Sequence, residues 1–415
     1  LSALFLLFGI GCFWLSLQKN ATTLSVYDLR LRFSKPVLLL ITSLALICAV
    51  LAKELALAGL GLYGLVLLLH MYQHRVKVRQ MVRRYSLPLI TISLLLILGI
   101  SYAYIRQTSL NFDPNFDYSV IDPLYPTSIL VRLLTFTRAL PLYISTYGFP
   151  FLLHMDHTLP VLSNPLNPWT VLVLVSTFLA IGFASYELKK QKTVWFAFGA
   201  TWFLLGLVPV SGIIPVNGLF YEHWLYLPSI GLSVCGLAIL RVIGAAIFSN
   251  KQLAFLQKSY AEFRVYVPGL ILVVLFFLTI RQNYLWGDQE RFFAYTLRFS
   301  QSARLYNNLA MAQAEKGKMT QAVENYQKAL EISPNYPQIY HNIGNILANQ
   351  GQLENALQYY LKAIEVDPTF TFSYPKAMML ANGLHDASAS DKILESANEY
   401  LSPESTQMLK TSSTR

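Results

Sequence analysis

The chain is short of charge, of cysteine and of acid. Only 13% of its 415 residues are charged, whereas a soluble domain carries roughly 25%. That shortage excludes an ordinary soluble fold for most of its length. The three cysteines, Cys12, Cys48 and Cys235, each lie inside an apolar run. They read as small core residues, which excludes a disulfide framework or a thiolate metal site. Acidic residues number 22 against 32 basic ones, a formal net charge of +10. The excess does not point to nucleic acid, because most lysines and arginines flank apolar runs instead of clustering on one folded face. No G-x-S-x-G, H-E-x-x-H or Walker pattern occurs, and "EKGKMT" at 315–320 has Ala312 where a phosphate loop needs its first glycine. No signal peptide precedes Leu1, which opens midway through an apolar run. The expectation is that the natural N-terminus lies upstream.

What is abundant is apolar. Hydrophobic residues make up 54% of the chain, and the mean hydropathy is +0.43. They fall into runs near the length that crosses a bilayer, at about 1–17, 37–52, 55–73, 87–106, 168–186, 193–210, 225–247 and 266–281. The loops alternate in charge. Residues 18–36, 74–86, 187–192 and 248–265 hold clusters of lysine and arginine, among them Arg30, Arg32, Arg83, Arg84, Lys189, Lys190 and Lys258. The other set is poor in positive charge, with Lys53 at one turn, Arg132 and Arg138 in a long loop, and none between 211 and 222. The bias of positive charge toward the cytoplasm puts the first set inside. The Lys53-Glu54 turn, the loop 107–167, the "YEHW" segment and everything after residue 281 then share the outer face. The stretch "SILVRLLTFTRALPLYISTYGFPFLL" in the long loop is apolar but interrupted by Pro141 and Pro150. It is expected to lie in the interface as an amphipathic or re-entrant helix.

The C-terminal part is a repeat. Asn308 and Asn342, Gly317 and Gly351, Ala322 and Ala356, Tyr326 and Tyr360, Ala329 and Ala363, and Pro334 and Pro368 each stand 34 residues apart. That is the tetratricopeptide (TPR) period, with small residues where two helices cross and proline closing the second. The expected organisation is all-α: a polytopic helical membrane domain over 1–281, a linker or first helix at 282–302, and a TPR α-solenoid. Its repeats are 303–336, 337–370 and a degenerate 371–401, with a disordered tail at 402–415. Such a solenoid binds an extended peptide or another subunit.

Several stretches carry a resemblance. "LAKELALAGLGL", "LTFTRALPLYISTYGFPFLLHMDHTLPV", "LVPVSGIIPVNGLFYEHWLYLPSIGL" and "IRQNYLWGDQERFFAYTLRFSQSARLYNNLA" resemble, in that order along the chain, segments of the transmembrane-and-TPR glycosyltransferases. These are the TMTC-type O-mannosyltransferases and their bacterial relatives in the GT-C superfamily. The resemblance implies a GT-C-like membrane domain and glycosyl transfer on the extracytoplasmic face, periplasmic or lumenal. The donor it implies is a polyprenyl-phosphate sugar, and the acceptor a protein or glycan recruited by the TPRs. Its partners are membrane lipid, that donor and a protein; nucleic acid is not among them. The family's usual base is an acidic residue in the first outer loop. That loop is absent here, so the catalytic residue is expected upstream of Leu1.

The residues left to meet a donor phosphate are Lys53, Glu54, Arg138, Glu222 and His223, with Trp224 and Tyr226 as interface anchors. Glu222 is expected to pair with Arg138 or Lys53, with Pro228 freeing backbone groups beside it. The family's Ser and Arg are replaced here by Ala52 and His223. Simpler readings stand beside these: Lys53-Glu54 as a solvated turn, and Glu222 and Trp224 as anchors. Asp113 and Asp117 read as Asx-turn residues around Pro114, and the N-A-T at Asn20 falls on the cytoplasmic side. His154, Asp156 and His157 in "HMDH" have metal-ligand spacing. GT-C enzymes sometimes use Mg²⁺ or Mn²⁺, the one cofactor left open, but those ions prefer oxygen, and no metal site is assigned. Two other functions stay open: a non-catalytic membrane-anchored TPR scaffold for envelope assembly, and another outer-face polyprenyl-linked glycan ligase or polymerase.

Overall fold

A computed structural model describes residues 1–18, 22–26, 29–109, 125, 128–157, 159–191, 193–213, 219–249 and 254–412. The chain divides into two compact units, Leu1–Val273 and Val274–Arg415.

The first unit is helical. Its helices are α1 (Ser2–Leu17), α2 (Lys35–Ala52), α3 (Ala58–Gln73), α4 (Val78–Arg84), α5 (Ser86–Ser109), α6 (Ile129–Gly148), α7 (Pro168–Tyr186), α8 (Trp195–Leu207) and α9 (Pro228–Ser249). Helix α10 (Ala254–Trp286) follows, and the division between units falls inside it. Between α1 and α2 the chain forms an antiparallel hairpin, β1 (Thr22–Val26) and β2 (Leu29–Phe33), with Val26 opposite Leu29. Each expected apolar run holds a helix. Among the described residues, five helices are long and apolar enough to cross a membrane: Lys35–Ala52, Ile129–Gly148, Pro168–Lys190, Pro228–Ser249 and Tyr266–Trp286. Shorter apolar helical stretches are Ser2–Leu17, Ala58–Gln73, Ser86–Tyr102 and Trp195–Val210.

Helix α6 departs from the expected interruption. It runs unbroken through Pro141; a proline inside a helix removes one backbone bond and bends the axis without necessarily ending it. Pro228 is also not a break. It opens α9, the position where a missing N–H removes nothing the helix would use.

Burial of leucine distinguishes little when the alternative is lipid, so close approach and internal hydrogen bonds specify the packing of apolar helices. Both are present. Thr42 of α2 donates to the Gly9 carbonyl of α1 at 3.3 Å and Ser2 to the Ala49 carbonyl at 2.8 Å, while Phe13 stacks on Tyr63 at 5.2 Å. Helices α8 and α9 meet backbone to backbone. A methyl group on Gly199 would lie 2.6 Å from the Gly231 carbonyl, and one on Gly231 2.4 Å from the Gly199 carbonyl.

One buried acid holds a helix end. Glu187 is 1% exposed and stands just after α7. One carboxylate oxygen accepts from Thr193 at 2.8 Å and from the Trp195 N–H at 3.2 Å; the other accepts from the Phe196 N–H at 3.0 Å. Its charge meets the positive end of α8 and satisfies two of the donors that a helix start leaves unpaired.

The second unit contains α11 (Gln289–Thr296), then α12 (Ala303–Glu315), α13 (Met319–Ile332), α14 (Pro337–Asn349), α15 (Leu353–Val366), α16 (Ser373–Gly383), α17 (Ala387–Tyr400) and α18 (Pro403–Ser412). The repeat positions do what their size requires. Ala322, Ala329, Ala356 and Ala363 are fully buried, and Tyr326 and Tyr360 fill the space beside them. Gly317 and Gly351 turn the chain between paired helices at φ +76° and +78°, where a side chain is strained. The same turn recurs 34 residues later at His385, φ +55°. Tyr340 and Tyr374 repeat one contact, donating to the Pro334 and Pro368 carbonyls at 3.0 and 2.7 Å. The cross-repeat amide bond runs from Asn342 to Asn307 at 3.0 Å, one residue before the matched Asn308.

One segment differs from expectation. The tail read as disordered is helical over α18, with Leu409 buried and the Thr406 hydroxyl donating to Ala397 at 3.0 Å; Pro403 starts it and one apolar anchor seats it. The segment 282–302, expected as a linker or first helix, contains α11, capped by Asp288, which accepts from the Arg291 N–H at 2.8 Å. Lys316 reaches Asp288 at 2.5 Å and Glu290 at 3.1 Å, and Lys318 reaches Glu290 at 2.8 Å.

Candidate functional site

Three segments of the first unit converge: the start and end of α6, the extended stretch after it, and the loop between α8 and α9. Arg132, 8% exposed, ties the first to the third. Its guanidinium donates to the carbonyls of Gly212 at 2.6 Å, Tyr125 at 3.2 Å and Ile213 at 3.5 Å. Gly212 has φ +85°, and a Cβ there would stand 2.8 Å from the Arg132 Cβ. Thr135, one helical turn on, accepts from the Leu162 N–H at 3.0 Å, and this holds the returning stretch against α6.

On that frame the segment before α9 forms a 3₁₀ turn, Glu222–Leu225. Its first residue is drawn into a cluster. Glu222 Oε1 accepts from the His154 backbone N–H and from His157 Nε2, both at 2.9 Å. The His154 Nδ1–H donates to the Leu152 carbonyl at 2.7 Å; a carbonyl only accepts, so this ring's proton is on Nδ1. The two imidazoles lie against each other, tilted by 31°, with centroids 3.9 Å apart. His157 meets Phe220 edge-on at 4.6 Å, and Phe220 in turn lies 4.4 Å from Tyr143. The side chains of His157 and Glu222 are each 18% exposed. Burial lowers the His154 pKa below the ordinary imidazole value, partly offset by its hydrogen bond to Leu152.

The other expected residues fall differently. Among the described residues, Glu222 pairs with neither Arg138 nor Lys53. The Arg138 guanidinium lies over the Trp169 ring at 5.4 Å, an arrangement that favours arginine over lysine. Lys53 is exposed and caps α2. Glu54 opens the 3₁₀ turn Glu54–Leu57. His223 stacks on Tyr221 at 5.4 Å. Desolvation, and then the Lys53 ammonium, hold its pKa below the ordinary value. Trp224 packs edge-on to Tyr221 at 4.8 Å, and Tyr226 is 69% exposed. Asp113 and Asp117 lie outside the described residues. Sequence spacing had offered His154, Asp156 and His157 as a group. The carboxylate that joins the histidines is Glu222, 65 positions beyond His157.

The comparisons bear on the second unit. A TPR repeat model matches residues 312–351, and a tetratricopeptide repeat model matches 337–370. No curated protein sequence matches the chain. Similar solved structures include MamA (20% identity, TM-score 0.25), matching 27% of this chain and 66% of that one. The N-terminal domain of stress-induced protein-1 (STI-1) from C. elegans is 21% identical, with a TM-score of 0.24, over 26% of this chain and 93% of that one. YrrB, described as a TPR protein with an unusual peptide-binding site, is 16% identical, with a TM-score of 0.26, over 56% and 99%. The chain therefore carries TPR repeats across residues 312–370, on the same polypeptide as helices apolar enough to cross a membrane.

Proposed function

We propose that the protein is a membrane glycosyltransferase. It moves a sugar from a polyprenyl-phosphate donor to a protein or glycan acceptor on the extracytoplasmic face, and its TPR repeats recruit the acceptor or a partner. The observation that carries this reading is Glu222. It is a carboxylate at the lip of an apolar helix, gathered with two histidines from a distant loop, in the segment that resembles the GT-C signature. A polar cluster at a membrane boundary is costly to assemble unless it is used. The alternation of lysine and arginine between loops supports the outer face for this cluster and for the TPRs. TPR repeats support protein binding.

Chemically, transfer needs a group that neutralises the lipid phosphate as it leaves and a carboxylate that takes the acceptor proton. In this reading Glu222 orders the donor site, and Lys53 and Arg138 supply positive charge at the same boundary. A second reading, a membrane-anchored TPR scaffold without catalysis, is favoured by one observation: His157 and a backbone N–H engage Glu222, and neither cation does. Transfer of label from purified donor lipid separates the two. The transferase should modify its acceptor and lose that activity when residues 300–415 are deleted, with membrane insertion intact. No transfer by the full-length protein would leave the scaffold.

A further inference from the structure

We infer that His154, His157 and Glu222 form a divalent-cation site suited to Zn²⁺. One nitrogen of each imidazole and one carboxylate oxygen all lie within 4.8 Å of one another. Donors around a tetrahedral Zn²⁺ stand ~3.4 Å apart, given bonds of about 2.0–2.1 Å. The 2.9 Å between His157 Nε2 and Glu222 Oε1 is already inside that spacing. The widest separation, up to 4.8 Å, closes to the tetrahedral spacing with side-chain movement of up to ~1.4 Å.

The donor set selects the metal. Two imidazoles and one carboxylate suit Zn²⁺ and its first-row neighbours; Mg²⁺ and Ca²⁺ take all-oxygen shells. The supporting contacts are those of a metal site. The bond from His154 Nδ1–H to the Leu152 carbonyl fixes the ring and its tautomer, leaving the lone pair on Nε2, as outer-shell partners of metal-bound histidines do. The His154 N–H steadies the Glu222 carboxylate, and Phe220 limits rotation of His157. Metal entry between His157 and Glu222 moves that ring's proton to Nδ1. Glu222 is set by the turn before α9 and the histidines by the stretch after α6, so the ion would also clasp these two segments.

Three protein ligands leave a fourth position for water or an anionic oxygen. A donor phosphate in that position is an extension resting on the transferase reading; Zn²⁺ binding itself does not depend on it.

The test is Zn²⁺ titration of the full-length protein in detergent after chelator treatment, by calorimetry and by competition with a chromogenic chelator. One equivalent should bind, and Co²⁺ in its place should give the visible bands of a four-coordinate ion. His154→Ala and Glu222→Gln should each weaken binding by at least ~100-fold, beyond the ~10–100-fold that outer-shell changes cause. His157→Cys should retain Zn²⁺ and add a thiolate charge-transfer band to the Co²⁺ spectrum, which guards against loss by misfolding. Absence of a stoichiometric Zn²⁺ in the parent, preference for Mg²⁺, or parent-like affinity in the Ala and Gln variants would overturn the site.

Discussion

Replacing Glu187 should loosen the junction between α7 and α8 more than any change among the neighbouring lysines. The carboxylate is buried and accepts three hydrogen bonds, two of them from the first backbone N–H groups of α8. Val194, the residue before that helix, provides no side-chain cap, so Glu187 is the cap, delivered from the preceding helix. Glu187→Ala removes every acceptor. Loss of a cap costs about 0.5–2 kcal/mol, and a buried donor left unpaired costs about 1–3 kcal/mol. Water reaching the vacated space recovers part of this, so the expected loss is ~2–4 kcal/mol. Glu187→Gln keeps one acceptor oxygen and loses the favourable charge at the helix start, worth about 0.3–1 kcal/mol or somewhat more when buried; its loss should be roughly half that of alanine. Lys189→Ala, at an exposed position, should stay within about 0.5 kcal/mol. Unfolding in mixed micelles of rising SDS fraction, followed by tryptophan fluorescence, measures the order. Equal stability of the Ala variant and the parent would refute the capping role.

Two further outcomes concern the second unit. Asp288 and Glu290 have pKa values held below the ordinary carboxylate range, chiefly by hydrogen bonds from Lys316 and Lys318 respectively. A depressed folded pKa gives stability that is present above the unfolded value, about 4, and lost as pH falls through the folded one. Hydrogen exchange across α11 should therefore be flat from about pH 8 to 5, after correction for intrinsic rates, and rise below about pH 4; flat protection down to about pH 2 would remove the ion pairs from the account. His385→Gly should relieve the left-handed turn and raise the protection of α16 and α17 by about 0.5–1 kcal/mol, whereas His385→Val should lower it. Unchanged exchange in both variants would mean that the turn stores no strain.

Much of the fold is legible in the sequence because it rests on local composition. Each apolar run is a helix, and the 34-residue offset marks the alanines, tyrosines and turn glycines of the repeat. The period extends further than identity alone suggests: His385 occupies the third turn but hides because it is not glycine. What was missed depended on partners far along the chain. Glu187 looks like one charge in a lysine-rich loop until its contacts with Thr193, Trp195 and Phe196 are seen. The histidines' carboxylate could not be chosen between adjacent Asp156 and remote Glu222 from spacing. Arg138 finds Trp169 because both sit where α6 and α7 approach, a pairing no motif encodes. Pro141 and the polar tail misled in opposite ways: a long helix tolerates one missing bond, and a short one needs only a proline start and a buried Leu409.

The most direct measurement is glycan transfer from purified polyprenyl-phosphate sugar by full-length protein carrying Glu222→Gln, beside the parent. The substitution keeps the shape of the side chain and removes its charge. The account predicts unchanged expression and insertion, activity in the parent, and a loss of at least ~10-fold in the variant, equivalent to about 1.4 kcal/mol of transition-state stabilisation. Equal transfer by both proteins would contradict it and reduce Glu222 to an anchor at the membrane boundary.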